Sequence, residues 1–490
     1  MKNKIIRLLF FITAFQIFGC TRRLDEVPKS IISPDQFYKT GEESIQGVNG
    51  VYRMLPSLFN AGGFWNVTMA GADIILQDKT DGNLTQLYKY TAFDDSGAGS
   101  VWKNCYTTIM NANLFINRVK NAPIEDSLKN RLLGEAKFLR AMQYYFLTNI
   151  FGDVPLWLDE LEVENVVSLP RAPVADVQKQ IVEDLIQAAA GLPNRFTGED
   201  VGRASKAAAL TLLAKEYLME KNWAAAREAA QQVIRMPEYA LMDNYGDNFD
   251  IHGRNCKESI FEIQYLRDAV NNVNYTTNNL CTWFMPPKDA PGKFAGVDFG
   301  NILLQSYANY YPTKKFVQLF EPGDKRKESI LAYGFNGKPF NRLNVNDMPY
   351  FGIKFWDLEN NNTASGKNLP FLRLADNYMA LAEAENELGN AAASAAAINV
   401  LRTRAGLPSI AILSKEAMRT KIMHESAIEF SGEFCRKWDL NRWGKLIEAV
   451  KSVAADNPEG AANIDAHYLY YPINTDELIK NTNLEQNKGY

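Results

Sequence analysis

The chain has 490 residues, of which 46% are hydrophobic and 22% charged. That is the composition of a globular protein with a large core, neither disordered nor fibrous. Its formal net charge is -4, and removing Lys2, Lys4 and Arg7 with a leader would make it -4 - 3 = -7. A mildly acidic chain lacks the clustered Lys and Arg that phosphate backbones require, so nucleic acid is excluded as a partner.

Taken in chain order, the first signal is a leader over residues 1–19. Lys2, Lys4 and Arg7 precede a short apolar run from Leu8 to Phe15, which is long enough for export and too short to span a bilayer. The run ends in Gly19-Cys20, a small residue beside a thiol that can take a diacylglyceryl group. Cys20 is therefore the expected lipidation site, and acyl chains there would anchor the protein at a membrane without a spanning helix. Four further cysteines, Cys105, Cys256, Cys281 and Cys435, show no paired spacing and read as buried free thiols. His252, His424 and His467 are scattered and form no zinc pattern. Neither a metal nor a cofactor is expected.

Helical stripes follow. Leu132, Ala136, Leu139, Met142, Phe146 and Ile150 recur at steps of three and four, which predicts one long helix over 127–150. Val177, Ile181, Leu185 and Ala188 predict another over 172–190. Leu210, Leu213, Ala214, Tyr217 and Leu218, a short turn at 221–223, then Ala226, Ala229 and Val233 have the outline of a tetratricopeptide unit. The outline returns at Leu374 to Leu388, Gly389-Asn390, and Ala393 to Leu401. Two more helices are expected over 415–430 and 440–450. The expected fold class is all-α: tetratricopeptide-type helix pairs forming a frame that carries long irregular insertions. Residues 60–100, 268–300 and 333–370 have the Gly, Asn, Asp, Thr and aromatic content of such insertions, and loops this long are usually functional.

Aromatic side chains that sit where loops are expected are the candidate ligand contacts. They are Trp65, Tyr88, Trp283, Phe284, Tyr307 and Tyr310. An aromatic face can lie against the C–H patch of a pyranose while planar amides and charged groups bond its hydroxyls. Each of them could equally pack its loop onto the frame. Trp102, within Val101-Trp-Lys-Asn-Cys-Tyr106, reads as core. Glu425 and Glu429 share a helix face, as an acid–base couple would, but ion-paired helices give that spacing constantly.

One set of motifs is specific. Glu135-Ala-Lys-Phe-Leu-Arg-Ala-Met-Gln-Tyr-Tyr-Phe with Asn149-Ile-Phe-Gly-Asp-Val-Pro-Leu156, Arg203-Ala-Ser-Lys206, and Leu372-Arg-Leu-Ala-Asp-Asn-Tyr378 lie in order along the chain. Arg402-Thr-Arg-Ala-Gly-Leu407, Trp438-Asp-Leu-Asn-Arg-Trp-Gly444 and Tyr471-Pro-Ile473, with the run Asn483 to Tyr490, complete the series. In combination they resemble the SusD/RagB family over most of the chain, in an N-terminal segment 20–240 and a C-terminal segment 241–490. The resemblance implies a non-enzymatic lipoprotein of the outer membrane, facing the cell surface. It implies capture of a glycan, or in some members a peptide, and delivery to a TonB-dependent outer-membrane transporter. It also makes Arg140, Asp376, Arg402, Arg404, Asp439 and Arg442 structural charges that pair across helices. The rival readings are peptide capture on the same scaffold, a glycoside hydrolase, and a tetratricopeptide adaptor.

Overall fold

The computed structural model describes residues 37–490, apart from 60–62, 78–86, 92–94, 162, 269–272, 277, 301–304, 345–346 and 360–364. The leader and Cys20 lie outside the described residues. Helix α1 (Gly41–Tyr52) opens on a capping box in which Thr40 and Glu43 exchange side-chain and backbone bonds. A short helix α2 (Gly63–Met69) and the long α3 (Asp95–Val119) follow. Helix α4 (Asp126–Phe151) is capped by the Glu125 carboxylate, which accepts from the backbone of Ser127 and Leu128, and ends at Gly152 with φ 75°. Glycine reaches that left-handed conformation without strain. Helix α5 (Val174–Gly191) packs along α4.

Two hairpins form the frame's centre. Helices α6 (Lys206–Met219) and α7 (Trp223–Ile234) are joined by a three-residue turn whose Asn222 caps α7. Ala207, Ala208, Ala209 and Ala214 on α6, with Ala226, Ala229 and Ala230 on α7, are buried. Side chains this small let the two backbones approach closely. Later in the chain, α8 (Leu374–Glu387) and α9 (Ala391–Arg404) repeat the arrangement, and α7 packs on α8. Helix α10 (Lys415–Glu429) closes on the second pair.

The predicted helix over 440–450 is two helices, α11 (Arg436–Arg442) and α12 (Leu446–Lys451). Gly444 takes φ 67° between them and breaks the helix there. Part of the 60–100 insertion is likewise helical, in α2 and the start of α3. The fold is mainly helical without being purely so. Among the described residues, small antiparallel sheets of two or three strands are built largely from the insertions. Two of them matter below: β1 (Ile75–Gln77) pairs with β3 (Tyr310–Pro312), and β2 (Ser259–Ile263) pairs with β4 (Leu369–Arg373). One contiguous apolar core runs from Val48 to Ile473. Trp102 belongs to it at 4% exposure, as its spacing predicts.

The predicted structural charges are paired. Arg140 grips Asp184 with two bonds of 2.8 and 2.7 Å, Lys215 meets Asp376 at 2.8 Å, and Arg442 bonds Asp439 and Glu383. A denser network joins the ends of α8, α9 and α10. Arg373 bonds Glu258, Glu429 and Glu433, Arg404 bonds Glu258 and Glu429, and Arg402 bonds Glu425 and Glu321. Arg326, fully buried, reaches Asp324, Glu425 and Glu429. Buried charges persist only when partnered this completely. Cys105, Cys256, Cys281 and Cys435 are free thiols.

Candidate ligand site

The six predicted aromatics divide into an inner and an outer group. Trp65 on α2 is 1% exposed and meets the edge of Phe284 with ring centroids 5.0 Å apart. Phe284 stacks on Phe355 at 4.4 Å, and the Tyr310 hydroxyl donates to the Asn66 side-chain amide oxygen. Tyr88 is also buried, its hydroxyl donating to the Asp456 carbonyl at 3.4 Å. These four fill the space beneath the insertions and present no open face to solvent in this conformation. Burial raises the Tyr88 and Tyr310 phenols well above their ordinary range, so both stay neutral hydrogen-bonding groups.

Trp283 and Tyr307 form the outer group. Trp283 lies on a short helix (Leu280–Phe284), half-buried, its ring 5.4 Å from that of Tyr310. Tyr307 is 45% exposed. The segment carrying Tyr307 is tied alongside that helix: the Tyr307 amide donates to the Thr282 carbonyl at 2.8 Å, and the Asn309 amide donates to the Trp283 carbonyl at 3.0 Å. Between the two, Ala308 holds φ at 46°, a left-handed conformation that non-glycine residues adopt at a cost and that clusters at functional sites.

Two side chains that the sequence reading missed complete the patch. Gln77 stands opposite Tyr310 in the β1–β3 register, on the same face of the pair. At 7% exposure, neither its side-chain amide nitrogen nor its oxygen has a hydrogen-bond partner among the described residues. The Asn309 side-chain oxygen, at 5% exposure, has none either. Each such group costs about 1–3 kcal/mol if left unsatisfied. Both lie next to the candidate aromatics in the chain or the ladder, and their unpartnered atoms are buried in this structure. Asn309 was findable, since it immediately precedes the Tyr310-Tyr311-Pro312 cluster. Gln77 ends an apolar run, Ile74-Ile-Leu-Gln77, and nothing local marks it.

The acid–base couple considered at Glu425 and Glu429 is differently employed. Burial alone would raise the Glu429 carboxyl, but the Arg404, Arg373 and Arg326 guanidiniums more than reverse this and hold it well below the usual carboxylate range. Glu425 is held down in the same way by Arg326, Lys421 and Arg402. Both are locked in the ionic network. Among the described residues no group of three His, Cys, Asp or Glu is placed to hold a metal.

A helical frame that raises an aromatic-and-amide patch on its insertions has the build of a binding protein. The chain belongs to the SusD/RagB family. Residues 337–490 match the family model described as SusD family, and residues 66–218 match the one described as "Starch-binding associating with outer membrane". A SusD-like protein of Formosa agariphila is 28% identical, covering 100% of this chain and 99% of its own. A solved structure titled "Laminarin binding SusD-like protein" is 26% identical with a TM-score of 0.77, over 92% of this chain and 100% of that one. A SusD homolog from Bacteroides thetaiotaomicron superposes with a TM-score of 0.83 at 23% identity, over 94% and 99% of the two chains. These relatives are similar along their whole length, so the family covers frame and insertions together. It is a family of binding proteins associated with the outer membrane.

Proposed function

We propose that this protein captures a glycan at the cell surface and passes it uncleaved to a TonB-dependent outer-membrane transporter. The observation that carries the reading is the Trp283–Tyr307 strip, next to which the buried Gln77 amide and the Asn309 side-chain oxygen have no partner among the described residues. A sugar ring supplies both an apolar face for the aromatics and hydroxyls for the amides. The laminarin binding named for one relative and the starch binding named for the matched family model support a glycan as the ligand. Hand-off to a transporter rests on the family resemblance. So does the frame's description as tetratricopeptide-type, which the two Ala-rich hairpins support.

Anchoring is assigned to Cys20, behind its Gly19, and among the described residues no helix is long and apolar enough to cross a membrane. Replacing Cys20→Ala should abolish palmitate labelling and release the protein from the outer-membrane fraction. Retention of label would refute the anchor. For the ligand, wild-type protein titrated with a panel of neutral oligosaccharides should bind at least one of them and leave it intact on product analysis. Glycosidic cleavage would replace this reading with a hydrolase, and binding of peptides alone would replace it with peptide capture.

A further inference from the structure

A second cavity, distinct from the aromatic-and-amide patch, lies among α8, α10, α11 and α12. It encloses about 530 Å³, within the ~300–1,000 Å³ typical of small-ligand sites. Its walls carry Trp223 and Trp443, both half-buried. The Trp443 indole is fixed by donating to Glu383 at 2.9 Å and by the Arg442 guanidinium 4.7 Å from its ring.

Most charges around the cavity are already matched. Arg436 forks onto Asp73 with bonds of 2.9 and 2.7 Å, Arg419 onto Glu387 with 2.6 and 2.7 Å, and Lys445 meets Glu448 at 2.6 Å. Lys221, exposed at the turn before α7, has no carboxylate within ion-pair distance among the described residues, and two further lining groups also differ. The Lys315 ammonium donates to the Ser452 hydroxyl at 2.5 Å and has no carboxylate within ion-pair distance among the described residues. The His424 imidazole is exposed in the cavity wall and makes no hydrogen bond to a described residue. Crowding by that wall, then the Lys421, Arg436 and Lys315 cations, hold its pKa below the ordinary value, against the opposing Asp73 carboxylate. The cavity therefore places an ammonium, Lys315, and a neutral imidazole, His424, where both still have hydrogen bonds to give.

We propose that this groove is a second binding site, for an oxyanion-bearing saccharide such as a uronate or a sugar sulfate. Lys315 and His424 hold the anion, and Trp223 and Trp443 flank the sugar ring. A lone inorganic anion would leave most of the volume and both indoles unused. Neutral sugars would leave the Lys315 ammonium without a counter-charge. The assignment stands on side chains that the Trp283 patch does not share, so either site can fail without the other.

The chain has only three histidines, His252, His424 and His467, which makes the imidazole a clean reporter. The full chain with ¹³C-labelled histidine, its His424 signal assigned by comparison with His424→Gln, is titrated with trigalacturonate, inorganic sulfate and a neutral laminari-trisaccharide. Trigalacturonate should shift the His424 resonance and raise its pKa, since an anion favours the imidazolium. Lys315→Met should weaken this binding about tenfold, roughly 1.4 kcal/mol, while Lys315→Arg retains it. The proposal is overturned if trigalacturonate leaves His424 unmoved. It is overturned equally if sulfate matches it at equal concentration, or if the neutral trisaccharide produces the same shift.

Discussion

Gln77 and Tyr310 face each other across the antiparallel pair of β1 and β3, and the two side chains are treated oppositely by their surroundings. The Tyr310 hydroxyl is bonded to Asn66; the Gln77 side-chain amide has no hydrogen-bond partner among the described residues. A buried amide without partners lowers stability, and the proposed function gives it a role toward a ligand.

That relationship yields a prediction with two opposed signs. Gln77→Leu removes an unsatisfied polar group while roughly conserving volume. Thermal or urea unfolding should show unchanged or higher stability, by up to about 1–3 kcal/mol. Glycan affinity should fall by about tenfold or more, the loss of one good hydrogen bond to a hydroxyl. A variant that loses stability and keeps its affinity would make Gln77 a structural residue.

The ionic network predicts acid sensitivity. Glu321 is pulled to about 2, first by its bonds to Arg402, and Glu425, Glu429 and Glu433 are held below their ordinary range by the guanidiniums and ammoniums around them. A carboxylate with a depressed folded pKa contributes stability that is present above its unfolded pKa and lost as pH falls through the folded one. Urea midpoints should therefore drop steadily below about pH 4.5, toward about pH 2. Glu429→Gln, which strands Arg373, Arg404 and Arg326, should cost on the order of 3–5 kcal/mol at pH 7. A loss below 1 kcal/mol would show that the network is not holding these helix ends together.

Lys437 predicts the opposite behaviour on the alkaline side. Its ammonium lies buried against the rings of Tyr90 and Tyr471, donating to the Tyr471 hydroxyl at 2.8 Å, and burial lowers its pKa to about 7. Above that value the folded lysine is neutral while the unfolded one still carries its proton. The unfolded state then binds more protons, so stability rises with pH until the unfolded lysine also titrates. Lys354 and Lys367, brought down to about 8 by burial, act in the same direction. Lys437→Met should therefore show a smaller rise, or a steeper fall, of stability with pH than wild type between pH 7 and about 9.5. An unchanged slope in the variant would mean that this amine is charged in the fold.

The frame was legible because helices with regular apolar spacing announce themselves. Leu132 through Ile150 predicts 127–150, and the helix spans Asp126–Phe151. Gly444 defeated the same argument, since the apolar spacing continues through it while its backbone turns left-handed. The short strands were invisible for another reason. Pairs such as β1 with β3 join residues more than 200 positions apart over three residues each, too short for alternation to register. At the site, composition located the aromatics without telling platform from padding. Trp65, Phe284 and Tyr310 share the loop-like surroundings of Trp283 and Tyr307, yet lie beneath them. Only packing separates the two groups.

The central claim, glycan capture at the outer strip, is tested most directly by calorimetric titration of Trp283→Ala and Tyr307→Ala beside wild type, after circular dichroism shows that both keep their helicity. Wild type should bind a neutral oligosaccharide with a micromolar to millimolar dissociation constant, roughly -8 to -4 kcal/mol. Each substitution should cost about 1–3 kcal/mol, by analogy with base–aromatic stacking, enough to bring such weak binding near or below detection. Unchanged affinity in both folded variants would contradict the placement of the site on the Trp283–Tyr307 strip.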